Sequence, residues 1–110
     1  MLDVSISMQG SVALVEVSGR IDSMNANQLG EALSNEIENG HMHMVLDLGG
    51  VDYMSSAGLR EIVSALKKVR GPGDLRLAQP SSRVREVLEM AGLDTIFQIF
   101  GTQAEALGSF

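Results

Sequence analysis

Residues 45–69, VLDLGGVDYMSSAGLREIVSALKKV, deliver an apolar run almost directly into an amphipathic helix, and such a pairing dictates an α/β arrangement. Met44, Val45, Leu46, Asp47 and Leu48 read as a largely buried strand ended by a turn at Gly49-Gly50. Leu59, Ile62, Val63, Leu66 and Val69 then recur at i, i+3, i+4, i+7 and i+10, with Arg60, Glu61, Ser64, Lys67, Lys68 and Arg70 on the other face, so a helix follows. Gly71 stops it. Ser55 and Ser56 fall at the helix start, where backbone N–H groups lack partners and the dipole is positive. A serine there is a common cap, contributing about 1 kcal/mol. Two adjacent serines followed by Ala57-Gly58 also leave the backbone accessible to a partner or to an added phosphate.

The flanking chain supports this junction. Residues 2–8 alternate apolar and polar and, with Val12, Leu14, Val15 and Val17, predict a hairpin turning at Gln9-Gly10. Gly19-Arg20-Ile21-Asp22-Ser23 leaves the sheet. Asp22 or Ser23 caps a helix expected to run to about Asn39, with Ala26, Leu29, Leu33 and Ile37 inward and Gly40 ending it. Gly30 weakens that helix by up to about 1 kcal/mol relative to Ala, which points to close packing. Beyond a Gly71-Pro72-Gly73-Asp74 turn, Leu75-Arg76-Leu77-Ala78 forms a short strand ended by Pro80. A third helix opens at Ser81 or Ser82, turns Val84, Val87, Leu88 and Ala91 inward and closes at Gly92. A short apolar run over residues 96–100 precedes a terminal helix whose start, Thr102-Gln103-Ala104-Glu105, fits a capping box. The order β-β-α-β-α-β-α-β-α implies a mixed sheet with parallel crossovers, covered by one-faced helices.

Composition excludes several functions. The 110 residues are 45% hydrophobic and suit one domain over 1–110. The absence of Cys rules out disulfides and thiolate metal sites. No segment reaches the roughly 20 apolar residues of a membrane helix, and the first ten residues do not read as a leader, so a cytoplasmic location is expected. A net charge of −6 argues against nucleic acid. The charge is uneven: residues 1–52 hold eight acids against Arg20 alone, whereas residues 53–110 hold seven bases and six acids. That reads first as solvated surface, second as an acidic face steering a basic partner. His41 and His43 form an H-x-H pair without further ligands, more consistent with a loop edge than with a metal site.

Catalysis fits poorly. A nucleophile elbow at Ser56 would need glycine where Met54 stands, and the histidines precede the strand whose far end carries the serines, about 16 Å away. Asp47 and Asp52 have no matched carboxylates. Neither enzyme activity nor a cofactor is expected.

The run Asp52-Tyr53-Met54-Ser55-Ser56-Ala57-Gly58-Leu59, followed by Ile62, Val63 and Leu66, resembles the signature of the STAS domain, most closely that of the small bacterial anti-sigma factor antagonists. The similarity extends over nearly the whole chain, through Gly19-Arg20-Ile21-Asp22 and the segment containing Val84, Val87, Leu88, Ala91, Gly92 and Leu93. It implies an α/β fold, a STAS-like single domain with a mixed four- to five-stranded β-sheet packed by about four α-helices. It also implies a switch in stress-responsive transcription. The unmodified protein binds an anti-sigma factor with serine kinase activity and frees a sigma factor; phosphorylation of the loop serine breaks that complex, and a serine phosphatase restores it. Alignment of Gly58-Leu59 makes Ser56 the acceptor; many members carry Asp just before it, and the serine that stands there in this sequence, Ser55, is the second candidate. The implied partner surface comprises Asp22, Met54, Ser55, Ser56, Ala57, Gly58 and Leu59, with Met54 and Leu59 as exposed apolar contacts, although Leu59 also begins the helix's inward stripe. No nucleic acid or membrane is implied, and a monomer is expected when free. The other readings are a non-switching scaffold in a signalling or lipid-transport complex and a module binding a small ligand at the helix start.

Overall fold

A computed structural model describes residues 2–110. Strands β1 (Leu2–Gln9) and β2 (Val12–Ile21) form the hairpin, turning at Gly10, whose φ of 63° suits the first position of a two-residue loop. Helix α1 (Ala26–Glu38), β3 (His43–Met54), α2 (Ser56–Val69), β4 (Asp74–Ala78), α3 (Ser82–Met90), the two-residue β5 (Ile99–Phe100) and α4 (Gln103–Gly108) follow. A 3₁₀ turn, Leu93–Thr95, links α3 to β5. The strands lie in sequence order β1-β2-β3-β4-β5; β1 and β2 are antiparallel and every other pair is parallel.

Each parallel step returns through a helix, and α1, α2 and α3 share the larger core on one sheet face. Ala13, Val15 and Val17 of β2, with Met44, Leu46 and Leu48 of β3, meet Leu29, Leu33, Ile62, Leu66, Val84 and Leu88 there. Burying one such aliphatic side chain is worth about 1.5–3 kcal/mol. The opposite face has a smaller apolar cluster of Val12, Leu14, Val45, Ala78 and Ala106, where α4 lies. Thr102 opens α4 as expected, its Oγ1 accepting from Glu105 N at 3.1 Å.

Four sequence expectations need correction. Gly49-Gly50 is not a turn: β3 continues through it to Met54, with one extra residue inserted at each of two irregularities in its pairing with β2. A Cβ on Gly50 would lie 2.7 Å from Ser18 Cβ, so glycine there permits close strand approach. Helix α1 begins at Ala26, because residues 22–25 form a separate turn. Ala91 is exposed beyond the end of α3 instead of packed inward. The apolar run over residues 96–100 forms a strand only at Ile99–Phe100, with Phe97 turned into the core just before it.

Candidate functional site

The β3–α2 junction lies beside the end of β2. Ile21 pairs with Met54, and Ser55 N donates to Ile21 O at 2.9 Å, so the loop containing Asp22 and the two serines occupy one end of the sheet. The serines divide the work of starting α2. Ser55 is the N-cap, in extended backbone, half-buried, with Oγ accepting from Gly58 N at 3.2 Å. Ser56 is the first helical residue and is exposed, and no hydrogen-bond partner for its hydroxyl is found among the described residues. The first turn carries no acidic side chain, so the amides of Ser56 and Ala57 face outward in uncompensated positive potential.

Asp22 forms a reciprocal lock with Asn25. Its Oδ1 accepts from Met24 N at 2.9 Å and Asn25 N at 3.1 Å, while Asp22 N donates to Asn25 Oδ1 at 2.9 Å. Its carbonyl accepts from Ala26 N, linking the turn to α1. Its other carboxylate oxygen lies 3.9 Å from Arg20 Nε, and the Arg20 guanidinium lies over the Tyr53 ring, 4.2 Å from the centroid. Arg20 and Tyr53 thus lie at the candidate site, although the resemblance does not place them in its implied partner surface. Both stand in the stretches that carry the family resemblance, and Arg20 is also the lone base of residues 1–52 and Tyr53 the lone tyrosine.

The other expected partner contacts divide by burial. Met54 is only 2% exposed and Leu59 only 9%, so both are core residues, and the expectation that Met54 is an exposed contact is corrected. Gly58 is buried too, since a Cβ there would lie 2.6 Å from Ile21 Cγ2 and Met54 Sδ. Ala57 is half-buried. The accessible surface therefore includes the exposed Arg20, Ser23, Met24, Asp52 and Ser56 and the half-buried Asp22, Tyr53, Ser55 and Ala57.

Away from this site, the histidines have separate engagements: His41 Nδ1 lies 2.8 Å from Glu36 Oε1, and the His43 ring meets Phe110 edge-on. Asp47 is 5% exposed but well partnered. Its Oδ1 accepts from Gly49 N at 2.8 Å, and its carboxylate accepts from Gln79 Nε2 at 2.9 and 3.0 Å and from Gln103 Nε2 at 2.7 Å. This knot ties β3 to β4 and α4. It provides a structural reason for an aspartate within an apolar strand.

The family model described as STAS domain matches residues 3–106. The chain belongs to the STAS domain family. BtrV of Bordetella bronchiseptica, a candidate anti-sigma factor antagonist, is 38% identical over 95 residues, spanning 86% of this chain and 82% of BtrV. A crystal structure of an anti-sigma factor antagonist from Mycobacterium paratuberculosis superposes with a TM-score of 0.94 at 24% identity, covering 99% of this chain and 93% of that one. SpoIIAA of Bacillus, solved both unphosphorylated and phosphorylated, is 19% identical in each form with TM-scores of 0.82 and 0.76; it covers 96% and 97% of this chain and 93% and 98% of its own. These structures share the fold, a five-stranded mixed sheet with four helices. No helix among the described residues is long and apolar enough to cross a membrane.

Proposed function

We propose that this protein is a cytoplasmic anti-sigma factor antagonist that switches partners through phosphorylation of Ser56. In its unmodified form it binds an anti-sigma factor with serine kinase activity and frees a sigma factor; the modified form lets go, and a serine phosphatase resets it. It acts as a binding module and a substrate of its regulators, not as a catalyst. The observation that carries the choice of acceptor is the division of labour between the serines. Ser55 Oγ is engaged as the cap, whereas Ser56 presents its hydroxyl to solvent from the first helical position.

The physical consequences support a switch with little internal rearrangement. A phosphate on Ser56 adds about −1.5 to −2 charges where helix amides and the dipole favour an anion, so the fold tolerates it. The same charge must be desolvated inside a partner interface that also covers Asp22. A penalty of about 3 kcal/mol weakens binding on the order of 100-fold. SpoIIAA, known in both phosphorylation states, and BtrV, named for anti-sigma factor antagonism, support the reading by family membership.

The test is peptide mass spectrometry of protein recovered from its native cells during growth and during stress, with phosphatase inhibitors present. One phosphate at Ser56, changing in occupancy between conditions and paired with loss of a co-purifying anti-sigma factor, is the expected result. A peptide containing both serines that stays unmodified in every condition would return the chain to a non-switching scaffold role.

A further inference from the structure

Strand β1 is an edge strand of eight residues, paired with β2 in unbroken register from Leu2↔Gly19 to Gln9↔Val12 and with no strand on its other side; Gln28 Nε2 donates to Leu2 O at 3.1 Å at its start. The usual protections of such an edge are missing. It has no proline, no lysine, no bulge and one charge, Asp3. It also carries apolar side chains that the domain leaves uncovered: Ile6 is 39% and Met8 45% exposed. Val4, Ile6 and Met8 lie opposite Val17, Val15 and Ala13 on the core face, and Ser5, Ser7 and Gln9 lie on the other.

The segment reads almost the same in both directions about Ile6, as Val4-Ser5-Ile6-Ser7-Met8. We infer that this edge binds a second copy of the chain, the two β1 strands pairing antiparallel about a two-fold axis at Ile6 to make one continuous ten-stranded sheet. In that register Ile6 faces Ile6, Val4 faces Met8, Ser5 faces Ser7 and Asp3 faces Gln9. Apolar meets apolar, hydroxyl meets hydroxyl, and no like charges stand opposite one another. The two Asp3 residues are then six strand positions apart, about 20 Å, well beyond the screening length at physiological salt. A strand from another protein could supply the hydrogen bonds, but the palindromic pattern specifies a partner with this same pattern. On this inference the free monomer expected from the sequence stands in equilibrium with a weak, reversible dimer, as befits the small contact that one shared strand edge makes. Helix α2 packs over β3 and β4, away from this edge, so dimerisation leaves Ser56 accessible and stands independently of the switch.

Sedimentation of the full chain from about 10 µM to 1 mM at 0.15 M salt tests the proposal. Concentration-dependent dimer is expected, weakened about tenfold or more by Ile6→Lys, which sets two ammonium groups face to face, and restored by mixing the Ile6→Lys and Ile6→Glu variants. Because the chain has no Cys, single-cysteine variants report the register. Ile6→Cys should cross-link to itself under mild oxidation, whereas Met8→Cys, four positions from its symmetry mate, should not. A chain monomeric at every concentration overturns the inference. So does a dimer indifferent to both charge variants, or one in which the two cysteine variants cross-link equally.

Discussion

Replacing Ser55 with Ala should cost about 1.5 kcal/mol of folding stability, while replacing Ser56 with Ala should cost under about 0.5 kcal/mol. Ser55 Oγ is the acceptor found for the Gly58 amide, and Gly58 is buried beneath Ile21 and Met54. The Ser55→Ala variant therefore loses a cap, worth about 1 kcal/mol, and leaves a buried donor unsatisfied. The 3.2 Å length keeps the total toward the lower end of the combined range. Ser56 Oγ makes no comparable contact, and Ala is well suited to a first helical turn. Urea unfolding followed by far-UV circular dichroism at 25 °C would read the difference as a midpoint lowered by about 1 M for Ser55→Ala, with unchanged slope. Thermal unfolding would read it as a loss of about 6 °C. Ser55→Asp should recover most of the stability, because a carboxylate also caps and complements the dipole. Equal losses for Ser55→Ala and Ser56→Ala would refute the division of labour between the serines, as would a Ser55→Ala variant as stable as the parent.

Two glycines should respond oppositely to alanine, measured by the same urea unfolding. Gly30→Ala meets only the flexible end of Glu61 and should be neutral or stabilising by up to about 1 kcal/mol, whereas a Cβ on Gly73 would lie within 2.1 Å of Met42 O, so Gly73→Ala should cost 3 kcal/mol or more, on the order of the largest overpacking penalties. Asp47→Ala removes the acceptor of the Gly49 amide and of the exposed Gln79 and half-buried Gln103 side chains, whose amides water can reach, and should cost about 1–2 kcal/mol; Asp47→Asn, which keeps one acceptor, should cost less. Arg76→Ala removes the bonds to Ser109 O and Oγ and the stacking over Phe110, so hydrogen exchange in α4 should accelerate while that in α1 and α2 is unchanged.

What could be read from sequence was local. The stripe of Leu59, Ile62, Leu66 and Val69 marked α2 because the 3.6-residue period survives any tertiary context that buries one helix face. The second half of β3 was hidden because its two insertions break alternation: Leu46, Leu48, Val51 and Met54 all reach the core at spacings of two, three and three. Met54 was mistaken for a surface residue for that reason. The Asp47 knot was invisible because its glutamines lie 32 and 56 residues away, and nothing local requires Gln79 to take its φ of 58°. At the candidate site the serines and Asp22 stood out as capping residues, while Arg20 and Tyr53 meet only through the pairing of β2 with β3.

The sequential strand order also governs how the domain emerges from the ribosome. Every strand pairs with its immediate predecessor, so no strand waits for a partner synthesised several elements later. Arg20, Asp22, Tyr53, Ser55, Ser56 and Gly58 all precede the end of α2 at Val69, so β1 to α2 hold every residue of the candidate site. The remaining elements extend the sheet at its β3 side and cover it. The candidate site is thus contained wholly in the part of the chain that is synthesised first.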